Sequence, residues 1–136
     1  MRKLLCISLA LASVLPAQEA HMVVEAYSGK VLSAENSTLK RPVASLTKLA
    51  TAIVAVDWAT ATGTEIATEL IRIPQIVVQL NTTSPLKLAP GDTITLRDAL
   101  NAALLSSDNI AALAIAHHVG SKLLTHRGKG GDPVLA

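Results

Sequence analysis

The chain has 136 residues, half of them hydrophobic, and a formal net charge of +2. This length suits one domain or part of one, and so small a charge without a basic stripe argues against nucleic-acid binding. Trp58 and Tyr27 are the only aromatic residues, so a core must be built from Leu, Ile, Val and Ala.

The first segment has the layout of a secretory signal peptide. Two basic residues precede an apolar run over residues 4–15, and a proline and small residues follow. The run is too short for a stable membrane helix. We expect residues 1–20 to direct export to the periplasm or cell envelope, the alternatives being an uncleaved anchor or a buried N-terminal helix. Because Cys6 lies in this segment, residues 21–136 have no cysteine for disulfide or thiol chemistry.

Residues 22–37, "MVVEAYSGKVLSAENS", predict a β-hairpin. Val23, Glu25 and Tyr27 alternate with apolar residues, and Ser28-Gly29 is typical of a turn. A polar loop follows, in which Pro42 disfavours helix at the preceding residue.

The run over residues 45–60 predicts a first helix that is apolar nearly all round. Such a helix belongs in the middle of a domain rather than on its surface. The following residues, up to about residue 95, indicate strand and loop, broken by Pro74, Pro85 and the turn Pro90-Gly91-Asp92.

Two further helices are predicted downstream. Thr95 and Asp98 have the spacing of a capping box, and an apolar stripe at helical spacing runs through residues 96–104. After "SSDN", a third helix is predicted from Ile110 to Val119, with Gly120 as its C-cap. The tail after that glycine has no periodicity.

The pattern Ser-x-x-Lys occurs three times, as Ser37…Lys40, Ser45…Lys48 and Ser84…Lys87. Serine and lysine are common, so the context decides which match has a chemical role. The first match sits in a polar loop, and a proline interrupts the third. The second match begins the apolar helix, where residues three apart share one face.

This second match has the components of an activated serine. A serine hydroxyl is a weak nucleophile until a base accepts its proton, and an amine accepts one only in its neutral form, which burial favours. Near a helix N-terminus, the Ser45 N–H is also free to stabilise a developing oxyanion. The alternative is that Ser45 only caps the helix and Lys48 is solvated, and the motif alone leaves both open.

The segment "SSDN" places Ser107 and Asn109 in a break between two apolar helices. Polar side chains in such a break can project into a cleft. The alternative is that this segment only provides the N-cap of the third helix.

Together these motifs resemble the serine-type D-alanyl-D-alanine carboxypeptidases, the low-molecular-mass penicillin-binding proteins (peptidase family S11), whose signature includes Ser-x-x-Lys and Ser-Asp-Asn. The segments "AYSGKVLSAENS", "RPVASLTKLATA", "LAPGDTITLRDAL" and "LLSSDNIAALAIAHHVG" resemble the family in order and spacing. The resemblance covers about residues 22–120. It implies an α+β, β-lactamase/DD-peptidase-like fold, an antiparallel sheet with a buried central helix.

The resemblance also implies roles for four residues. Ser45 would be the nucleophile and Lys48 its general base. Ser107 would relay a proton towards the leaving D-alanine, and Asn109 would bind the substrate peptide and help fix Lys48. The substrate would be a peptidoglycan stem peptide ending in D-Ala-D-Ala, which β-lactam antibiotics mimic. No metal or organic cofactor and no nucleic-acid partner is implied, and peripheral membrane association is compatible with the family.

The sequence departs from the family at the third motif, Lys-Thr/Ser-Gly, which is not found. Lys129-Gly130-Gly131 follows Asn109 too closely and lacks strand character. We therefore expect residues 21–136 to be the N-terminal portion of the catalytic domain, with the C-terminal strands missing. Without them a sheet edge and one face of the central helix would be open, and activity would be weak, because losing one oxyanion donor typically costs about 10²–10³ in rate.

Two other functions remain open. A serine β-lactamase shares both motifs, and its deacylating glutamate would lie beyond the last residue. A non-catalytic envelope protein could bind peptidoglycan with a degenerate copy of the fold. The pair His117-His118 does not predict a metal site, because adjacent helix residues diverge and no third ligand has a suitable spacing.

Overall fold

The computed structural model describes residues 19–80, 82, 84–128 and 130–135. The chain divides into two compact units, Met1–Pro42 and Val43–Ala136. The signal segment expected over residues 1–20 lies almost entirely outside the described residues. None of the helices in the described part has the length and hydropathy needed to cross a membrane.

The described part of the first unit is the predicted hairpin. Strands β1 (His21–Val24) and β2 (Val31–Glu35) pair antiparallel, with His21 opposite Glu35. In the turn between them, Gly29 adopts a left-handed φ of 70°, which glycine does without steric cost. The Glu25 carboxylate closes the same turn by accepting bonds from Tyr27 N–H, Ser28 N–H and the Ser28 hydroxyl.

The described part of the second unit contains three helices and one small sheet. Strand β3 (Leu70–Arg72) pairs antiparallel with β4 (Thr93–Thr95), so Ile71 faces Ile94. Helix α3 packs against both α1 and α2. The helices are α1 (Thr47–Thr62), α2 (Leu96–Leu105) and α3 (Asn109–His126), and short 3-10 turns occupy Ala44–Leu46, Gln75–Gln79 and Pro133–Leu135.

The core of the second unit is aliphatic, as the composition predicts. Alanines on all three helices are buried, and their small side chains let the helices approach closely. Trp58 packs on the margin of this core and is only partly buried. The largest fully buried apolar side chains are Ile71, Ile73, Leu96 and Ile115.

Helix α1 has two apolar stripes. The first stripe is buried and consists of Ala52, Ala55 and Ala59. Lys48 is buried on the same face of the helix. The second stripe is exposed in the described chain and includes Leu49, Ile53 and Val56. Its central residue, Ile53, is 61% exposed.

The predicted end of the third helix is wrong. Helix α3 continues through Gly120 to His126 and ends at Arg127. Gly120 is buried where the turn Pro133–Leu135 packs against the helix, and a Cβ there would lie 1.6 Å from the Pro133 carbonyl oxygen. Close backbone approach, rather than helix termination, accounts for this glycine.

We expect Gly120→Ala to displace the turn Pro133–Leu135 from α3. The clash involves backbone, and overpacking of about 1–3 kcal/mol exceeds the gain of about 1 kcal/mol that alanine brings to a helix. Urea unfolding should show lower stability, and trypsin should cleave faster after the exposed Arg127. Gly130→Ala is the control, because a Cβ there meets open space. Unchanged stability and cleavage in Gly120→Ala would contradict the packing described.

The Glu25 turn should respond to pH. The Ser28 hydroxyl, and then the N–H groups of Tyr27 and Ser28, lower the pKa of Glu25. These bonds stabilise the turn above the ordinary glutamate pKa, and that contribution is lost as the pH falls through the lowered value. In an NMR titration of the Glu25 carboxyl, Ser28→Ala should raise the midpoint, whereas Ser33→Ala should not. Equal midpoints in both variants would refute this account.

Candidate active site

Three side chains predicted to act together form a closed hydrogen-bonded triangle. Lys48 Nζ lies 3.1 Å from Ser45 Oγ and 3.0 Å from Ser107 Oγ. The two hydroxyl oxygens are 2.8 Å apart. Ser45 belongs to the 3-10 turn that leads into α1, Lys48 to the first turn of α1, and Ser107 to the connection between α2 and α3.

One residue of the triangle is buried and the other two are exposed. Lys48 is 9% exposed, whereas Ser45 and Ser107 are accessible from outside. Within the described residues, no carboxylate lies within ion-pairing distance of the Lys48 amine. The amine is therefore held by two neutral hydroxyls, either of which can exchange a proton with it when the amine is uncharged.

The backbone N–H of Ser45 is available as a hydrogen-bond donor. It donates to no backbone oxygen in the part of the chain that the structure describes, whereas the next residue, Leu46, bonds to Val43 O at 3.0 Å. The sequence predicted a free donor here, although Ser45 lies in the 3-10 turn rather than in α1 itself.

Two residues of the site adopt left-handed backbone conformations. Ala44, directly before Ser45, has φ 45°, and Ser107 has φ 55°. For a residue with a Cβ, this conformation costs about 1–2 kcal/mol, so surrounding contacts must hold it. At Ser107, one such contact is the bond of 3.1 Å from Asp108 N–H to Ala102 O.

Asp108 is the N-cap of α3. Its side chain is fully buried, and Oδ1 accepts bonds from Ile110 N–H at 2.8 Å and Ala111 N–H at 3.1 Å. The Ser84 hydroxyl donates to Oδ2. Within "SSDN", Asp108 therefore caps the helix while Ser107 joins the triangle, and the catalytic interpretation of Ser107 stays a prediction.

Asn109 is the first residue of α3, and its side chain is exposed. Its Nδ2 donates to Thr82 Oγ1 at 3.1 Å. The expected contact with Lys48 is absent, because in the described residues the Lys48 amine bonds only to Ser45 and Ser107. Asn109 instead faces a cavity that Lys48 also lines.

This cavity, of about 580 Å³, lies beside the triangle and is mainly apolar in lining. A cavity of about 670 Å³ lies elsewhere, between α1 and α3 around Trp58, and has none of the triangle residues in its wall. The smaller cavity is the candidate substrate site because it adjoins the reactive groups. It is lined by Ala44, Ser45, Thr47, Lys48, Thr51, Leu80, Asn109, Ala112, Leu113, Ala116 and Val134.

The other Ser-x-x-Lys matches do not form comparable sites. Ser37 and Lys40 are both exposed in the first unit, and no hydrogen bond joins these two described side chains. Ser84 bonds to Asp108 and accepts from Leu88 N–H at 3.0 Å rather than meeting Lys87.

One histidine of the pair, His118, contacts a carboxylate and an aromatic ring. His118 Nε2 lies 2.7 Å from Glu69 Oε1, and its ring meets Trp58 edge-on at 6.0 Å. No cluster of metal-binding side chains occurs among the described residues. Of the rejected third motif, Lys129 lies outside the described residues, and Gly130 and Gly131 are not in a strand.

Sequence reasoning missed three residues that support the site, namely Thr82, Ser84 and Asp108. Aspartate is a preferred N-cap, so its position before an apolar helix could have revealed the last of these. No sequence signal identifies the other two. Ser84 and Asp108 are 24 residues apart, and Thr82 and Asn109 are 27 apart.

Comparison with known families matches residues 12–123 to the D-alanyl-D-alanine carboxypeptidases. A D-alanyl-D-alanine endopeptidase from Escherichia coli K12 is 31% identical over 102 residues, which cover 71% of this chain and 30% of that protein. The chain thus spans about a third of the length of this relative.

Solved structures share the fold. A D-alanyl-D-alanine carboxypeptidase from Francisella tularensis superposes with a TM-score of 0.65 at 20% identity, covering 84% of this chain and 30% of its own. Penicillin-binding protein 5 from Haemophilus influenzae gives 0.60 at 22% identity, covering 84% and 38%. Penicillin-binding protein 6B from Escherichia coli gives 0.56 at 23% identity, covering 74% and 35%. These similarities confirm the α+β, DD-peptidase-like fold expected from the sequence.

We expect Asp108→Ala to lower the free energy of unfolding by about 2 kcal/mol, because it removes the cap of α3 and leaves the Ser84 hydroxyl without its acceptor. Asp108→Asn keeps a capping oxygen and should lose less. Asp98→Ala is the control: it removes an exposed carboxylate from the first turn of α2 and should cost less than about 1 kcal/mol. Urea unfolding measures all three. Equal losses in the two alanine variants would contradict the role assigned to Asp108.

Proposed function

Because the chain belongs to the D-alanyl-D-alanine carboxypeptidase family, we propose that it is a serine-type carboxypeptidase acting on peptidoglycan stem peptides that end in D-Ala-D-Ala. The observation that carries this proposal is the triangle of Ser45, Lys48 and Ser107, with its amine buried and its hydroxyls exposed. The chain spans about a third of the length of its curated relative. The activity is therefore proposed for the whole protein, of which this chain carries the three residues of the triangle.

The first step forms an acyl-enzyme. Ser45 Oγ attacks the carbonyl carbon between the two D-alanines, and its proton passes to the uncharged Lys48 amine 3.1 Å away. The carbonyl π bond opens to an oxyanion, which the free N–H of Ser45 stabilises. The buried Lys48 amine is hydrogen-bonded to both hydroxyls, so it lies in position to take this proton.

The intermediate then releases D-alanine. As the C–N bond breaks, the leaving amine needs a proton, and the Ser107 hydroxyl can supply one and regain one from Lys48 at 3.0 Å. Water hydrolyses the remaining ester and regenerates Ser45. The proton transfers from Ser45 to Lys48 and from Lys48 to Ser107 use hydrogen bonds of the triangle. In the second half, water adds to the ester carbonyl, the acyl bond to Ser45 Oγ breaks, and the proton lost by the water returns to Ser45 Oγ, which leaves the shortened peptide as its carboxylic acid.

Asn109 is proposed to bind the substrate peptide at the cavity next to the triangle. Its Nδ2 is engaged by Thr82, which leaves the amide oxygen to accept a bond from a substrate N–H. A β-lactam would enter the same cavity and acylate Ser45. Residues 1–20 have the pattern of an export signal, consistent with a substrate outside the cytoplasm.

Labelled penicillin tests the assignment directly. We expect a mass adduct on Ser45, none in Ser45→Ala, and a labelling rate about 10²–10⁴-fold lower in Lys48→Ala because the general base is removed. Ser37→Ala and Lys40→Ala are matched controls, since they change an exposed copy of the same motif. Labelling that persists in Ser45→Ala, or that falls equally in Lys40→Ala, would refute the proposed roles.

The same experiment separates related functions. Rapid release of hydrolysed penicillin would favour a serine β-lactamase over a carboxypeptidase. Cell-wall binding that survives in Ser45→Ala, with no adduct in the wild type, would favour a peptidoglycan-binding protein. The endopeptidase relative makes a cross-linked stem peptide a second substrate to compare with the terminal D-Ala-D-Ala peptide.

A further inference from the structure

We propose that Ser84 is a positioning residue for the active site, acting through Asp108 to hold Ser107 against Lys48. This inference rests on the proposed function, because it assigns Ser84 a part in the rate of serine acylation. Among the described hydrogen bonds none joins Ser84 to the triangle, and Ser84 is the first residue of a Ser-x-x-Lys match to which no reactive role is assigned.

The Ser84 hydroxyl joins two parts of the second unit. It donates to Asp108 Oδ2 and accepts from Leu88 N–H at 3.0 Å. The Ser84 carbonyl also accepts from Lys87 N–H at 2.9 Å, which closes a turn. Leu88 packs against the hydrophobic core, so the hydroxyl is anchored to a residue of that core.

Asp108 transmits this anchoring to the helix junction. Its N–H bonds to Ala102 O in α2, and its Oδ1 accepts from the Ile110 and Ala111 amides in α3. These contacts are internal to the two helices and their connection. The bond from Ser84 is the contact that ties the Asp108 carboxylate to a different segment, and Asp108 is fully buried.

Ser107 needs such support because it is a non-glycine residue with φ 55°. A left-handed serine reverts to a more favourable conformation unless its neighbours fix the chain. A second hydrogen bond, from Asn109 Nδ2 to Thr82 Oγ1, joins the residue after Asp108 to the chain segment just before Ser84. Ser84 and Thr82 therefore hold the two residues that follow Ser107, and the position of the Ser107 hydroxyl depends on these two hydrogen bonds.

The test compares Ser84→Ala with Ser84→Thr, which keeps the hydroxyl. Because small displacements of reacting groups are costly, we expect the acylation rate constant of Ser84→Ala to fall about ten- to a hundredfold, with little change in the dissociation constant of penicillin before acylation. Ser84→Thr should recover most of the rate. Ser121→Ala is the matched control, since it removes a part-buried hydroxyl that bonds only to His117 O within α3.

A second readout does not depend on acylation. The NMR signal of the Lys48 side-chain ε-carbon reports the surroundings of the amine, and it should shift in Ser84→Ala but not in Ser121→Ala. If Ser84→Ala does not fold, Ser84→Cys keeps the side-chain volume with a much weaker donor and should change both readouts in the same direction. Absence of a wild-type Ser45 adduct would refute the proposed function, and the Lys48 signal would still decide the role of Ser84.

Wild-type acylation in Ser84→Ala together with an unmoved Lys48 signal would overturn the proposal. So would a rate loss that Ser121→Ala reproduces or that Ser84→Thr fails to recover, because either result would indicate a general loss of stability.

Discussion

The site depends on one buried amine that is held by two hydroxyls and no described carboxylate. A charged partner would keep a lysine protonated, whereas hydroxyls can both accept from the amine and donate to it. The fold produces this arrangement by placing Lys48 on the same buried face of α1 as three alanines. The break between α2 and α3 then supplies Ser107 from the other side.

Local features of the fold were predictable because their causes lie within a few residues. The hairpin turn follows from Ser28-Gly29, and the start of α2 follows from Thr95, whose hydroxyl accepts from Asp98 N–H at 3.1 Å. The pairing of Ser45 with Lys48 follows from helix periodicity. The helix break marked Ser107 as a candidate, but its pairing with Lys48, 59 positions earlier, could be predicted only through the family resemblance.

Features that depend on distant backbone were not predictable. Glycine is common at helix ends, and Gly120 was therefore predicted to end the third helix. The helix instead passes through Gly120, where a Cβ would clash with the backbone of Pro133. Ser84 was read as an unproductive motif match, and its partner Asp108 is set by how the loop folds back on the helix junction. In both cases the residue type is explained by a contact that periodicity does not encode.

The triangle joins residues far apart along the chain, since Ser45 and Ser107 are separated by 62 positions. Closing so long a loop is an entropic barrier that local helix formation does not lower. Ser45 and Lys48 can therefore meet early, on a nascent helix, but the complete constellation arises only after α3 has docked. On the proposed function, Ser45 would therefore gain its reactivity only late in folding.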